Sequence, residues 1–104
     1  MYFTEEILQQ VILWAIQRTS LSLGLISEGD QFIPEDAFER IALAKGHRDA
    51  LMEFVAAYGA WYAFHLEIYK AEKQGKLNPE ENNRLMALIH RRDNAKKTLL
   101  DITD

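Results

Sequence analysis

Residues 75–81 read Gly-Lys-Leu-Asn-Pro-Glu-Glu, and this stretch decides the fold. Gly75 is well suited to end a helix, because glycine adopts the left-handed conformation of a C-terminal cap without steric strain. Asn78 is a favoured N-cap and Pro79 a favoured first helical residue, and the two acids that follow face the positive end of the helix dipole. The stretch therefore predicts the end of one helix and the start of the next.

The chain on either side of this turn carries apolar residues at helical spacing. The pattern predicts one helix over about 47–74 and another over about 79–101. The connection between them is only a few residues long. The two helices must therefore fold back on each other as a long antiparallel hairpin.

Two further helices are predicted before the hairpin. Thr4 is a candidate N-cap, and Gly24 a candidate stop, for the first of them. Pro34 fits the first position of the second helix. Gly46 either ends that second helix or kinks one longer helix that continues into the hairpin. Residues 1–104 are therefore expected to form a single all-α domain, a three- to four-helix bundle dominated by the hairpin.

The first helix of the hairpin is apolar on two sides rather than one. At 100° per residue, the first stripe holds Leu51, Val55, Tyr58, Tyr62, Leu66 and Tyr69. The second stripe, on the opposite side, holds Phe54, Ala57, Trp61, Phe64 and Ile68. We expect the last helix to cover the first stripe, and the upstream helices or a second copy of the chain to cover the second. Because the second predicted helix is short, we predict a two-fold homodimer through the second stripe.

Composition narrows the class of protein. The 104 residues are 48% hydrophobic and 27% charged, as in an ordinary globular domain. The absence of cysteine excludes disulfides, zinc–thiolate sites and thiol nucleophiles. The N-terminus lacks the basic region and cleavage site of a signal peptide. The uncharged run 54–66 is shorter than the roughly 20 residues of a membrane span, so we expect a cytoplasmic protein that does not engage a membrane.

The search for catalytic and metal-binding motifs is negative. No histidine has a glutamate three residues before it, as a helical di-iron site requires. The sequence also lacks a phosphate-binding glycine loop, a His-Glu-x-x-His pair and a Gly-x-Ser-x-Gly elbow. We therefore expect no enzymatic activity, no bound metal and no cofactor.

The aromatic residues of the hairpin form the first candidate surface. His65 lies in the uncharged run one turn from Trp61, where it can contact a ligand or respond to pH, and the alternative is a histidine at the rim of the core. Aromatics at helical spacing line either a pocket, a partner groove or plain core. The candidate interface or pocket residues are Phe54, Trp61, Phe64, His65 and Ile68.

The basic residues of the last helix form the second candidate surface. In a chain with a net charge of −4, they make the one markedly positive segment: Arg84, Arg91, Arg92, Lys96 and Lys97. Such a strip can bind an acidic partner or a phosphate backbone, and the alternative is a solvated helix face with weak ion pairs. Arg92 differs from the others because its position points into the hairpin seam, opposite Tyr62. We expect its guanidinium to stack on a tyrosine, bond a hydroxyl or reach an acid such as Glu67.

These observations predict a small helical protein–protein interaction module, such as a regulator, adaptor or inhibitor, that acts by surface complementarity as a homodimer. The first alternative is a nucleic-acid-associated protein that uses the basic residues. It ranks second because the chain is acidic overall and its sequence contains no recognisable motif of a DNA-recognition helix. A small-ligand binder at the aromatic cluster around His65 ranks third.

Overall fold

The computed structural model describes residues 2–103, and every regular element in that range is helical. Four α-helices follow one another: α1 (Glu5–Ser22), α2 (Ala37–Lys45), α3 (Arg48–Lys70) and α4 (Pro79–Leu100). A 3₁₀ turn lies between α1 and α2. α3 packs along α4 as the predicted hairpin, α1 packs on α3, and α2 packs on α1. The predicted all-α bundle is therefore confirmed, and no helix within residues 2–103 is long and apolar enough to span a bilayer.

The ends of α1 follow the predicted capping. The Thr4 hydroxyl accepts a hydrogen bond from the Ile7 amide at 3.2 Å, which makes Thr4 the N-cap. Gly24 adopts a φ of 72°, and the amide of Leu25 donates to the carbonyl of Ser20 at 2.9 Å. This is the pattern of a Schellman cap, with glycine at the left-handed position.

The start of α4 is also as predicted, but α3 ends earlier than expected. Asn78 and Glu81 form a reciprocal capping box, with amide-to-side-chain distances of 2.7 and 3.2 Å. The helix predicted to reach residue 74 stops at Lys70, and Glu72 rather than Gly75 is the left-handed residue of its cap, with a φ of 54°. The physical reason is that residues 70–76 carry no large apolar side chain, so further turns would bury nothing.

The boundary between α2 and α3 resolves the alternative left open at Gly46. Gly46 has a φ of 73° and ends α2, and His47 is also left-handed with a φ of 53°. Two successive residues with positive φ redirect the chain, so the helices are separate rather than one kinked helix. The predicted start of α2 was wrong, because Pro34 lies in a turn closed by the Ala37 amide at 3.1 Å and the helix begins at Ala37.

The coverage of the two apolar stripes of α3 differs from the prediction. The guanidinium groups of Arg84 and Arg92 on α4 lie 4.5 and 4.6 Å from the ring centres of Phe64 and Trp61, which belong to the second stripe. α1 runs beside Gly59, where an added β-carbon would lie 3.0 Å from the Thr19 hydroxyl. α4 therefore covers part of the stripe that the prediction left to other elements.

The core lies at one end of the hairpin. We call this end the base, residues 48–57 and 91–100, and the opposite end the tip, residues 64–88. The base packs with α1, α2 and the N-terminal residues into one cluster whose apolar members are almost completely buried: Phe3, Leu8, Val11, Phe38, Leu51, Phe54 and Leu99. In the tip only Phe64 and Ile68 are buried. The radius of gyration is 14.8 Å, against about 13 Å for a compact chain of this length, because the tip projects from the core.

Candidate functional site

A groove lies between α1 and α2, the two helices that pack on the base. Its volume is about 450 Å³, within the range of roughly 300–1,000 Å³ that is usual for ligand sites. Most of the residues along it are apolar: Ile7, Ile33, Pro34, Ala37, Ile41 and Ala44. The polar residues along it are Gln10, Arg40 and Lys45, so the lining contains two cations and no acid. The groove therefore combines an apolar floor with positive edges.

The wall formed by Ile33 and Pro34 is held in place by Gln17 of α1. Gln17 is only 2% exposed. Its side-chain oxygen accepts hydrogen bonds from the amides of Phe32 and Ile33 at 2.8 and 2.9 Å, and its Nε2 donates to the carbonyl of Ile33 at 2.9 Å. A buried amide that satisfies three backbone groups of one loop fixes that loop against the helix.

Trp14 fixes the start of α2 in the same way. Its indole Nε1 donates to the carbonyl of Glu35 at 3.1 Å, and its ring stacks on Phe38 with a centroid distance of 4.8 Å. α1 therefore holds the segment before α2 at two points one turn apart. The groove is a preformed feature rather than a gap between loosely attached helices.

The two cations at the edges of the groove differ in how they are held. Arg40 pairs with Asp36 at 2.8 Å, and both side chains are largely exposed. Lys45 donates from Nζ to the carbonyl of Tyr2 at 2.9 Å and lies over the ring of that tyrosine, whose hydroxyl donates to the carbonyl of Lys45 at 2.6 Å. Lys45 is thus oriented by Tyr2, while its ammonium retains two further donors.

The predicted interface residues of the hairpin do not form one open surface. Phe54, Phe64 and Ile68 are buried within the chain, where the structure places α4 against their stripe. Trp61 is half-buried, and His65 is exposed and stacked on Trp61 with a centroid distance of 5.3 Å. The expectation that this stripe is left for a second copy of the chain was therefore wrong, because α4 already covers most of it.

The basic residues of α4 are mostly engaged with neighbouring elements. Arg91 makes a two-point ion pair with Glu53 of α3 at 2.8 and 2.9 Å, and Lys96 lies 3.3 Å from Glu5 of α1. Arg84 packs on Phe64, as described above, and Lys97 is exposed. These residues do not form the continuous free strip that the sequence suggested.

Arg92 points into the hairpin seam as predicted, but its aromatic neighbour is Trp61 rather than Tyr62. Its side chain is 25% exposed, lies over the Trp61 ring and donates to Asp93 at 3.1 and 3.2 Å. Neither a tyrosine hydroxyl nor Glu67 takes the contact expected for it. The predicted tyrosine partner of Arg92 was therefore wrong, although the prediction that Arg92 contacts an aromatic ring of α3 was right.

Two ion pairs perturb carboxylates at the base. The hydrogen bond from Arg91 lowers the pKa of Glu53 below its ordinary value. The hydrogen bond from Arg48 likewise lowers the pKa of Glu39, and the two oxygens of Glu39 accept from Arg48 at 2.7 Å each. Both pairs tie α3 to a neighbouring helix, α4 in the first case and α2 in the second. Both are exposed ion pairs that link two helices, and neither has the geometry of a catalytic pair.

Sequence reasoning missed the groove and the residues that build it. Gln17 lies in the middle of an apolar helix, and the loop it binds is 15 to 16 residues further on. A lone glutamine among the apolar residues of α1 was the available signal, since a buried amide needs partners. Within residues 2–103, no group of three or more histidine or acidic side chains is arranged to hold a metal. Comparisons with protein-family models, curated proteins and solved structures found no match to this chain.

Proposed function

We propose that this chain is a non-catalytic protein–protein interaction module, and that the α1–α2 groove is its binding site. The observation that carries the proposal is the groove itself, which is apolar along its floor and fixed by buried hydrogen bonds. A site that is already formed loses little conformational entropy when a partner binds. Of the described surfaces, it is the one that best combines concavity, apolar lining and rigidity.

The proposal is tested by filling the groove. Ala44 is exposed, so Ala44→Trp occupies the groove without disturbing the core, and Ala87→Trp makes the same change at an exposed position of α4. We expect a protein captured by the natural chain and by Ala87→Trp to be lost from Ala44→Trp. The captured protein is then purified and titrated into ¹⁵N-labelled chain, where the amide shifts should centre on residues 33–45. Equal binding by Ala44→Trp, or shifts centred on another face, would contradict the proposal.

Homodimerisation stays a prediction. The stripe that motivated it is largely covered by α4, so a dimer has to form through another surface. Light scattering decides the matter directly. A mass near twice 12.1 kDa at high micromolar concentration supports a dimer, and a mass near 12.1 kDa excludes one at that concentration.

A further inference from the structure

The shape of the groove limits what can occupy it. Its floor follows α2, which has nine residues and is therefore about 13 Å long at 1.5 Å per residue. A second helix laid along α2 would contact it over roughly two and a half turns. Helix-in-groove recognition uses apolar anchors at spacings of three and four residues, which lie on one face of the bound helix. The apolar line through Ala37, Ile41 and Ala44 offers the matching surface on α2.

The charge of the groove limits the occupant further. At 100° per residue, Arg40 and Lys45 fall on opposite sides of the line through Ala37, Ile41 and Ala44. The apolar line of α2 is therefore flanked by a cation on each side, although the chain as a whole carries a net charge of −4. A partner with acids on both flanks of its apolar face is attracted, and one with basic flanks is repelled.

The intramolecular contacts of these cations leave them free to bind such a partner. The Arg40–Asp36 pair is solvent-exposed, and exposed pairs contribute little to stability, so a partner carboxylate can share or replace Asp36. Lys45 is positioned by Tyr2 through a backbone carbonyl and a ring, and neither contact neutralises its charge. The same two cations would face each other across a symmetric pair of grooves, which disfavours a second copy as the occupant.

We infer that the occupant of the α1–α2 groove is an acidic amphipathic helix of a partner protein, with acids on both flanks of its apolar face. This inference rests on the proposed function, because it specifies the partner of the same site.

The test is a display selection against the full chain. The library consists of amphipathic helices of about four turns, roughly 14 residues, with a fixed apolar face and random flanking positions. Sequences that also bind Ala44→Trp are removed, and Ala87→Trp is the matched control. We expect the remaining sequences to carry acids on both flanks. Replacing these acids by glutamine should weaken binding about two- to fivefold per contacted cation, and replacement by lysine should weaken it further.

Substitutions in the chain complete the test. Arg40→Gln should weaken binding of the selected acidic peptide about two- to fivefold, while Lys97→Gln, which removes an exposed cation from α4, should leave it unchanged. Enrichment that is indifferent to flank charge overturns the inference but leaves the proposed function standing. No enrichment over Ala44→Trp overturns both. A natural chain that is dimeric, and becomes monomeric on Ala44→Trp, shows that a second copy fills the groove and also overturns the inference.

Discussion

The base and the tip of the hairpin are built from the same two helices, yet they bury their apolar residues to very different extents. In the base, Phe54 is 1% exposed and Leu51 and Leu99 are inaccessible, because α1 and α2 close the space that α3 and α4 leave open. In the tip, Tyr69 is 64% exposed, and the leucines of the first turns of α4 are only partly covered. A pair of helices has one shared seam, so at least a third element is needed to enclose a core.

The difference between the two regions also indicates where a partner protein binds. The helices α1 and α2, which pack on the base, form a groove whose loop wall is held by Gln17, and within residues 2–103 no buried side-chain nitrogen or oxygen lacks a hydrogen-bond partner. Where the base ends and the seam continues towards the tip, the two helices are held partly by cations over aromatic rings, Arg92 of the base on Trp61 and Arg84 of the tip on Phe64. Regions with few buried apolar contacts open at lower free energy than a packed core. The following predictions test whether the base and the tip differ in this way.

The largest effect is expected for truncating a core phenylalanine. Phe54→Ala should lower the free energy of unfolding by about 3–5 kcal/mol, because the cavity lies among residues that cannot collapse into it. Phe64→Ala in the tip should cost clearly less, since neighbouring side chains can relax and water can enter from the surface. Urea denaturation of both variants measures the difference. Equal losses would mean that the tip is packed as tightly as the base.

A smaller loss is expected when Gln17 is replaced. Gln17→Leu keeps the volume but leaves the amides of Phe32 and Ile33 without their acceptor, which should cost roughly 1–3 kcal/mol. These two amides should also exchange with deuterium faster, because the loop is no longer held. Gln9→Leu, at an exposed position of the same helix, is the control and should change stability by less than about 0.5 kcal/mol. Unchanged exchange at Phe32 and Ile33 would show that another contact fixes the groove wall.

Arg92 tests the seam at the edge of the base, where its guanidinium lies over Trp61. Arg92→Met retains most of the apolar stem and removes the charge over Trp61, so it should cost about 0.5–2 kcal/mol, the range of a cation–π contact. Lys97→Met removes an exposed cation from the same helix and should cost less than about 0.5 kcal/mol. Thermal unfolding compares the two. Equal stability of the two variants would show that Arg92 does not anchor the seam between α3 and α4.

The smallest change in stability is expected for the ion pair between Glu53 and Arg91, which links α3 to α4 at the base. The pKa of Glu53 is lowered in the folded chain by Arg91, so its contribution to stability is present above the unfolded pKa and is lost as the pH falls through the folded pKa. Both side chains are about half exposed, which limits the gain to roughly 0.2–1 kcal/mol. Glu53→Gln should therefore lower stability slightly at pH 7 and not at acid pH below the folded pKa. A loss that is the same at both pH values would point to packing instead.

The hairpin could be predicted from sequence because its signals are local. Asn78, Pro79 and Glu81 act within one turn, and so does Gly24 at the end of α1. The end of α3 could not be predicted from its glycine, because the helix stops where it has no further apolar residue to bury. The coverage of the second stripe by α4 was not predicted, because periodicity fixes which residues share a face, but not which neighbouring helix takes that face.

The candidate groove could not be predicted, because it is a property of tertiary packing. Its lining comes from three parts of the chain, and its wall depends on Gln17, which is an unremarkable helix residue until the loop it binds is in place. The residues chosen from sequence were the conspicuous ones, the aromatics and cations of the hairpin. Most of them are buried or contact other side chains within the chain, since large and charged side chains are also those that best hold helices together.

The central claim is that partners bind in the α1–α2 groove, on the helices that pack on the base, and not at the tip. The most direct measurement is a titration of ¹⁵N-labelled chain with the acidic helical peptide obtained by selection, followed by amide shifts residue by residue. The account predicts shifts concentrated at Ile7, Gln10 and residues 33–45, with the amides of residues 64–88 unchanged, and the loss of all shifts in Ala44→Trp. Shifts concentrated in residues 64–88, or preserved in Ala44→Trp, would contradict it.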